Sequence, residues 1–214
     1  MRESSLNEEA ITSLRRRGLL SAEAYKLHLA ALGLRPDGSL VSQSPWLQPL
    51  AVVVALLGSI FGIIGAVFQE IQSGLLLAPF IAAPLIEEAL KPTGIYILLV
   101  RWPRALLGRL HTAALTALAG LCFGLIESYV YVTFYYPEGK SDYVLYRFTV
   151  PVLMHTLASF IVGLGLTRGV IDWAAGRAPF PKRTRNFYFA AVGLHAAYNI
   201  TAVVLVLTGV LDFD

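Results

Sequence analysis

Residues 75–100 read LLLAPFIAAPLIEEALKPTGIYILLV. The stretch is long enough to cross a bilayer, which takes roughly 20 mainly apolar residues. Yet it carries Glu87, Glu88 and Lys91 in its interior. An ionisable side chain at that depth costs roughly 2.5–3.5 kcal/mol on insertion scales, so it is a functional candidate by default. Pro84, Glu87, Lys91 and Gly94 fall at helical spacing and share one stripe. Glu88 lies off that stripe but three residues from Lys91, so either carboxylate can pair with the lysine. Pro84 and Pro92 are places where the segment can kink or split.

Four more apolar runs surround this one. Residues 46–68 carry no charge. Residues 110–135 contain His111 near one end and Glu127. Residues 148–170 contain His155 and, near the end, Arg168. Residues 187–210 contain His195 and Asn199. The expected fold is an all-α integral membrane protein with about five transmembrane helices, spanning residues 45–214. Residues 1–44 are polar and read as a short cytosolic helical arm, with a capping-box pattern at Ser5-x-x-Glu8 and a basic cluster at Arg15, Arg16 and Arg17. Composition agrees: 56% of residues are hydrophobic and 14% charged, against about a quarter charged in a soluble domain. That excludes a disordered chain, a nucleic-acid-binding tail and an ordinary soluble globule. The single cysteine, Cys122, excludes an intramolecular disulfide framework and a Cys-rich zinc site.

Lys and Arg alternate between the connections. The arm has six, residues 69–74 none, residues 101–109 three, residues 136–147 two (Lys140 and Arg147), residues 168–186 five and the tail none. The positive-inside rule then puts the N-terminus in the cytoplasm and the C-terminus outside.

Each of the last four spans presents one polar stripe. The second has the stripe above. The third has Gly120, Phe123, Gly124 and Glu127, where small residues let helices approach closely. The fourth has Pro151, His155, Ser159 and Val162. The fifth has Tyr188, His195, Asn199 and Ala202. Lipid rejects all four, so they are expected to face one another. At 1.5 Å per residue, Glu127 and His155 lie roughly 12 Å below the outer ends of their spans, Asn199 roughly 16 Å, and Glu87 and His195 roughly 20 Å. One layer in the outer half of the bilayer accommodates them all.

Three carboxyls, two imidazoles, an amide and an ammonium suffice for water-mediated peptide hydrolysis. Hydrolysis needs a base to activate water and donors to hold the developing oxyanion. Carboxyl groups crowded in a low-dielectric site gain basicity, while a lysine keeps one of them ionised.

At these residues the chain resembles a known family. Glu87-Glu88-Ala-Leu-Lys91, Phe123-Gly-Leu-Ile-Glu127, His155 after Pro151, and His195-Ala-Ala-Tyr-Asn199 follow, in order and each in its own span, the motifs of the PrsW family of glutamic-type intramembrane proteases. That family is related to the CAAX-protease and bacteriocin-processing family, which has a histidine where Glu127 stands and an arginine-type first motif. The resemblance covers residues 75–210. It implies a membrane-embedded endopeptidase cutting a membrane-anchored protein, such as an anti-sigma factor, on the extracytoplasmic side. It implies Glu87 and Glu88 as the catalytic pair, with Glu127 and His155 as essential partners. His195 and Asn199 match the oxyanion-stabilising pair of the related family, and Glu87 matches that family's water-activating position.

The competing readings are structural or transport-related. Glu87, Glu88 and Lys91 would also serve as an ion-pair staple in a non-catalytic scaffold that holds a membrane partner. Membrane carboxylates and histidines also build proton- or cation-coupled transporters, although no internal repeat supports one. No cofactor is called for. Zinc is an alternative that two histidines and several glutamates allow, but there is no His-Glu-x-x-His pattern. The expected partners are a membrane-anchored protein substrate and the lipid bilayer, with no nucleic acid and no oligomeric state implied. His28, His111 and Cys122 read as structural. Tyr129, Tyr131, Tyr135, Tyr136, Tyr143 and Tyr146 read as an outer interfacial belt.

Overall fold

The computed structural model describes residues 45–72 and 78–211. The expected arm, 1–44, lies outside the described residues. The rest is helical, with no strand among the described residues. Helix α1 is Leu47–Gln72. A π-helical turn, Ala78–Ala82, leads into α2, Ala83–Leu90, and α3, Thr93–Arg101. A 3₁₀ turn at Pro103–Ala105 precedes α4, Arg109–Val130, which runs on through a π-helical turn, Tyr131–Tyr135. Then come α5, Ser141–Gly165, the short α6, Gly169–Ala174, and α7, Lys182–Leu207.

Among the described residues, four helices are long and apolar enough to cross a membrane: Leu47–Phe68, Arg109–Tyr135, Ser141–Gly165 and Lys182–Leu207. The protein is a multi-pass membrane protein. The fifth expected span, 75–100, is broken at Lys91–Pro92. It still lies along α1 in the opposite direction. A Cβ added at Gly58 would strike the backbone of Gly94, one at Gly62 would meet Lys91, and one at Gly65 would strike Leu90. Glycines at this spacing are what let two membrane helices bring their backbones together.

The break follows from Pro92. It has no N–H to offer the carbonyl of Glu88. The chain turns there, and nearby hydroxyls take the next two carbonyls. Tyr96 donates to Ala89 O at 3.2 Å and Thr93 Oγ1 to Leu90 O at 2.5 Å.

The fourth span begins earlier than the expected 148. Helix α5 starts at Ser141 and ends at Gly165. Arg147, counted above as a connection charge, is therefore inside a helix. Pro151 sits within α5 and deprives Arg147 O of its i+4 donor. Ser128 Oγ on α4 replaces that donor at 2.6 Å, and the helix continues unbroken.

The pairing of α4 with α5 also relies on glycine. A Cβ at Gly120 would lie 2.5 Å from His155 O, and one at Gly163 would lie 2.6 Å from Ala113 Cα. The apolar core includes Ala51, Ala55, Ile95, Leu98, Leu115, Met154, Ala158, Val162 and Ala191. In each element the charged residue sits about one to three turns from these core residues, always toward the same end. Leu115 and Ala119 precede Glu127. Ala158 and Val162 follow His155. Ile95 and Leu98 follow Lys91, and Ala191 precedes His195. Because neighbours run in opposite directions, the core forms one layer and the charges the next. Outside, Leu57, Phe61, Ile64 and Phe68 of α1 are exposed, as a lipid-facing surface requires.

Candidate active site

The charged layer is a connected network. Lys91 is its centre and is fully buried, as is Glu88. Glu87 is 4% exposed, His195 2% and His155 1%. Lys91 Nζ lies 2.6 Å from Glu88 Oε1, 3.3 Å from Glu87 Oε2 and 2.8 Å from His155 Nδ1. His155 Nε2 lies 2.8 Å from Glu127 Oε2. Glu127 Oε2 is also 3.3 Å from Arg147 Nη2. On the other side, His195 Nδ1 lies 2.9 Å from Glu88 Oε1. The two imidazoles meet edge to face, with centroids 4.9 Å apart at 87°. Phe123 floors the cluster, its ring 4.3 Å from Lys91 Nζ and edge-on to His155 at 5.0 Å.

These contacts assign the tautomers. An ammonium only donates, so His155 Nδ1 accepts and its proton is on Nε2, which donates to Glu127. A carboxylate only accepts, so His195 Nδ1 donates to Glu88. With the proton on Nδ1, the neutral form of His195 presents a lone pair at Nε2. That atom faces Glu87 Oε2 at 3.9 Å, too far for a hydrogen bond. Glu87 Oε2 is buried and makes no hydrogen bond. Two acceptors thus look at each other across a gap that suits a water or a cation. Charge balance points the same way. Glu87, Glu88 and Glu127 oppose Lys91 and Arg147, which leaves one negative charge for a proton or an ion to neutralise.

All six ionisable residues singled out from the sequence meet here. Asn199 lies one turn beyond His195 on α7 and is partly buried. Arg147 was missed because a basic residue near a span end reads as a topology signal. The signal for it was present. Arg147, Pro151, His155 and Ser159 recur every four residues, so the stripe drawn from Pro151 extends one turn back. Two tyrosines leave the expected belt. Tyr143 is buried against the Tyr136 ring, and Tyr146 bridges to Tyr198 with hydroxyls 2.8 Å apart. His111 accepts from Leu107 N–H at 3.2 Å, a local structural contact.

Glu87, His155 and His195 also form a donor set for a metal, with one ligand atom of each within 4.8 Å of the others. Two imidazoles and a carboxylate are the donors of many catalytic zinc sites. Glu87 Oε2, without a hydrogen bond, and His195 Nε2 fit that role as they stand. His155 fits by exchanging Lys91 at Nδ1.

Fold and site define a helical membrane protein with a buried carboxylate–imidazole centre assembled from four segments. The family model described as PrsW family intramembrane metalloprotease matches residues 45–212. The chain belongs to the PrsW family and is an intramembrane protease by that membership. No curated protein and no solved structure matches it. The description names a metalloprotease, where the motif resemblance implied glutamic-type catalysis.

Proposed function

We propose that the protein is an endopeptidase that hydrolyses a peptide bond of a membrane-anchored protein, anti-sigma-factor-like in topology, with water activated by Glu87. The observation that carries this reading is the buried 3.9 Å gap between Glu87 Oε2 and His195 Nε2. A water there donates one proton to each acceptor. Glu87 takes a proton as the water oxygen attacks the peptide carbonyl carbon. The carbonyl oxygen becomes an oxyanion, for which the Asn199 amide is the candidate donor, while His195 Nε2 goes on accepting from the attacking oxygen's remaining proton. The proton then moves to the leaving nitrogen as the C–N bond breaks, which returns Glu87 to its starting state. Glu88 and Lys91 hold the charge and orientation of this pair, and His155 and Glu127 hold Lys91 from the far side.

A second reading uses a metal. Glu87, His155 and His195 would hold a divalent ion, which would supply Lewis-acid polarisation of the peptide carbonyl. The donor set and the family's description favour it. The proximity of Lys91 to Glu87 and His155 favours the glutamate-centred reading, because an ammonium already serves both groups as the local cation.

Family membership supports a plasma-membrane location, and the Lys and Arg pattern supports a cytoplasmic N-terminus with the site in the outer half of the bilayer. The test is a mass-spectrometric search for new protein termini in host membranes, comparing wild type with Glu87→Gln at matched abundance. New termini near the outer ends of single-span proteins, seen with wild type alone, are expected. Identical termini with both proteins would overturn the proposal.

A further inference from the structure

We infer that Arg147 is a positioning residue of the site, acting through Glu127 on the orientation of His155. Four features carry this. Its guanidinium lies 3.3 Å from Glu127 Oε2, the oxygen that accepts from His155 Nε2 at 2.8 Å. Its side chain is 12% exposed, so most of it is screened from solvent. The guanidinium carbon stacks 3.9 Å from the Tyr131 ring centroid, which limits its freedom. Its backbone is pinned as well, because Pro151 leaves Arg147 O without a helical donor and Ser128, the neighbour of Glu127, supplies one at 2.6 Å.

The consequence runs through the imidazole. Glu127 is the most exposed carboxyl of the network, with 24% of its side chain accessible. Held by Arg147, its oxygen fixes the Nε2–H tautomer of His155. Nδ1 is then the acceptor that keeps Lys91 between Glu87 and Glu88. Without Arg147, Glu127 can swing toward solvent. His155 can then change tautomer, and Lys91 loses one of its anchors. In metal sites, losing an outer partner that orients a ligating imidazole costs about 10–100-fold in activity, and the same order is expected here, where the imidazole acts on the reacting pair through Lys91.

The kinetic arm rests on the proteolytic reading; the spectroscopic arm does not. Arg147→Met, Arg147→Lys and wild type are compared in liposomes with a quenched-fluorescent single-span peptide. In parallel, the ring nitrogens of His155 are observed by ¹⁵N magnetic resonance on histidine-labelled protein, assigned with His155→Gln. Arg147→Met is expected to lower kcat by about 10–100-fold with KM within about twofold, and Arg147→Lys to recover part of the loss. The His155 spectrum is expected to show a protonated Nε2 in wild type and tautomer averaging in Arg147→Met. An unchanged His155 spectrum overturns the inference whatever the peptide does. So does a kcat loss that Arg147→Lys fails to relieve and that tracks a fall in melting temperature. If Arg147→Met does not fold, Arg147→Gln, which also removes the charge, takes its place in both readings. A peptide cut equally well by Glu87→Gln would count against the proposed hydrolysis alone, and the spectrum would still judge Arg147.

Discussion

Two prolines flank the site, and the chain answers them differently. At Pro92 the helix ends and restarts. At Pro151 it runs on. Each removes the N–H owed to a carbonyl four residues earlier, in Glu88 and in Arg147. At Pro151 a neighbouring helix is close enough to substitute, and Ser128 donates to Arg147 O. At Pro92 the substitutes are local side chains, Thr93 and Tyr96, which serve the following carbonyls and let the axis turn. A proline therefore breaks or spares a membrane helix according to what its neighbours can donate. The broken segment carries Glu87, Glu88 and Lys91. The continuous pair carries Glu127, Arg147 and His155. In the proposed function the first is the reacting part and the second holds it in place.

The largest expected effect tests that division. Glu87→Gln should lower cleavage by about 10³-fold or more while thermal unfolding in detergent stays at the wild-type temperature. A variant that loses both together would make the broken segment a structural staple. Lys91→Met comes next. It strands two buried carboxylates without their counter-charge and should destabilise the protein by about 3–5 kcal/mol. Denaturant unfolding in detergent measures this, and a neutral result would mean that water reaches the cluster freely.

The continuous pair is probed more gently. Ser128→Ala leaves Arg147 O without its donor and should cost about 1–3 kcal/mol. Pro151→Ala restores the helical donor. The double variant should then recover most of the loss, with a coupling of about 1 kcal/mol in a double-mutant cycle. Additive single effects would break the comparison of the two prolines. The smallest expected effect is that of a chelator. With Lys91 as the local cation, 1,10-phenanthroline should leave cleavage within about twofold of the untreated rate. A loss that added zinc restores would hand the role to an ion held by Glu87, His155 and His195.

Much of this was legible in the sequence. Glu87, Glu88, Lys91, Glu127, His155 and His195 stood out because charge inside an apolar run is costly, and their stripes pointed to a common layer. Gly120 and Gly124 announced the close α4–α5 approach. Arg147 was hidden by its place at the edge of an apolar run, where hydropathy cannot tell a loop charge from a helical one. The split at Pro92 was visible only as an option, since the same residue at Pro151 leaves the helix whole.

The residues alone therefore determined the class: apolar runs of membrane length, and polar groups that must turn away from lipid. Hydrophobicity and helical period are local properties, so they survive in a linear text. Which nitrogen of which imidazole meets which carboxyl was decided by the tertiary structure. Those pairings join residues up to 107 positions apart, as His195 and Glu88 are. They depend on ångström-scale approach between helices, and no local pattern encodes that.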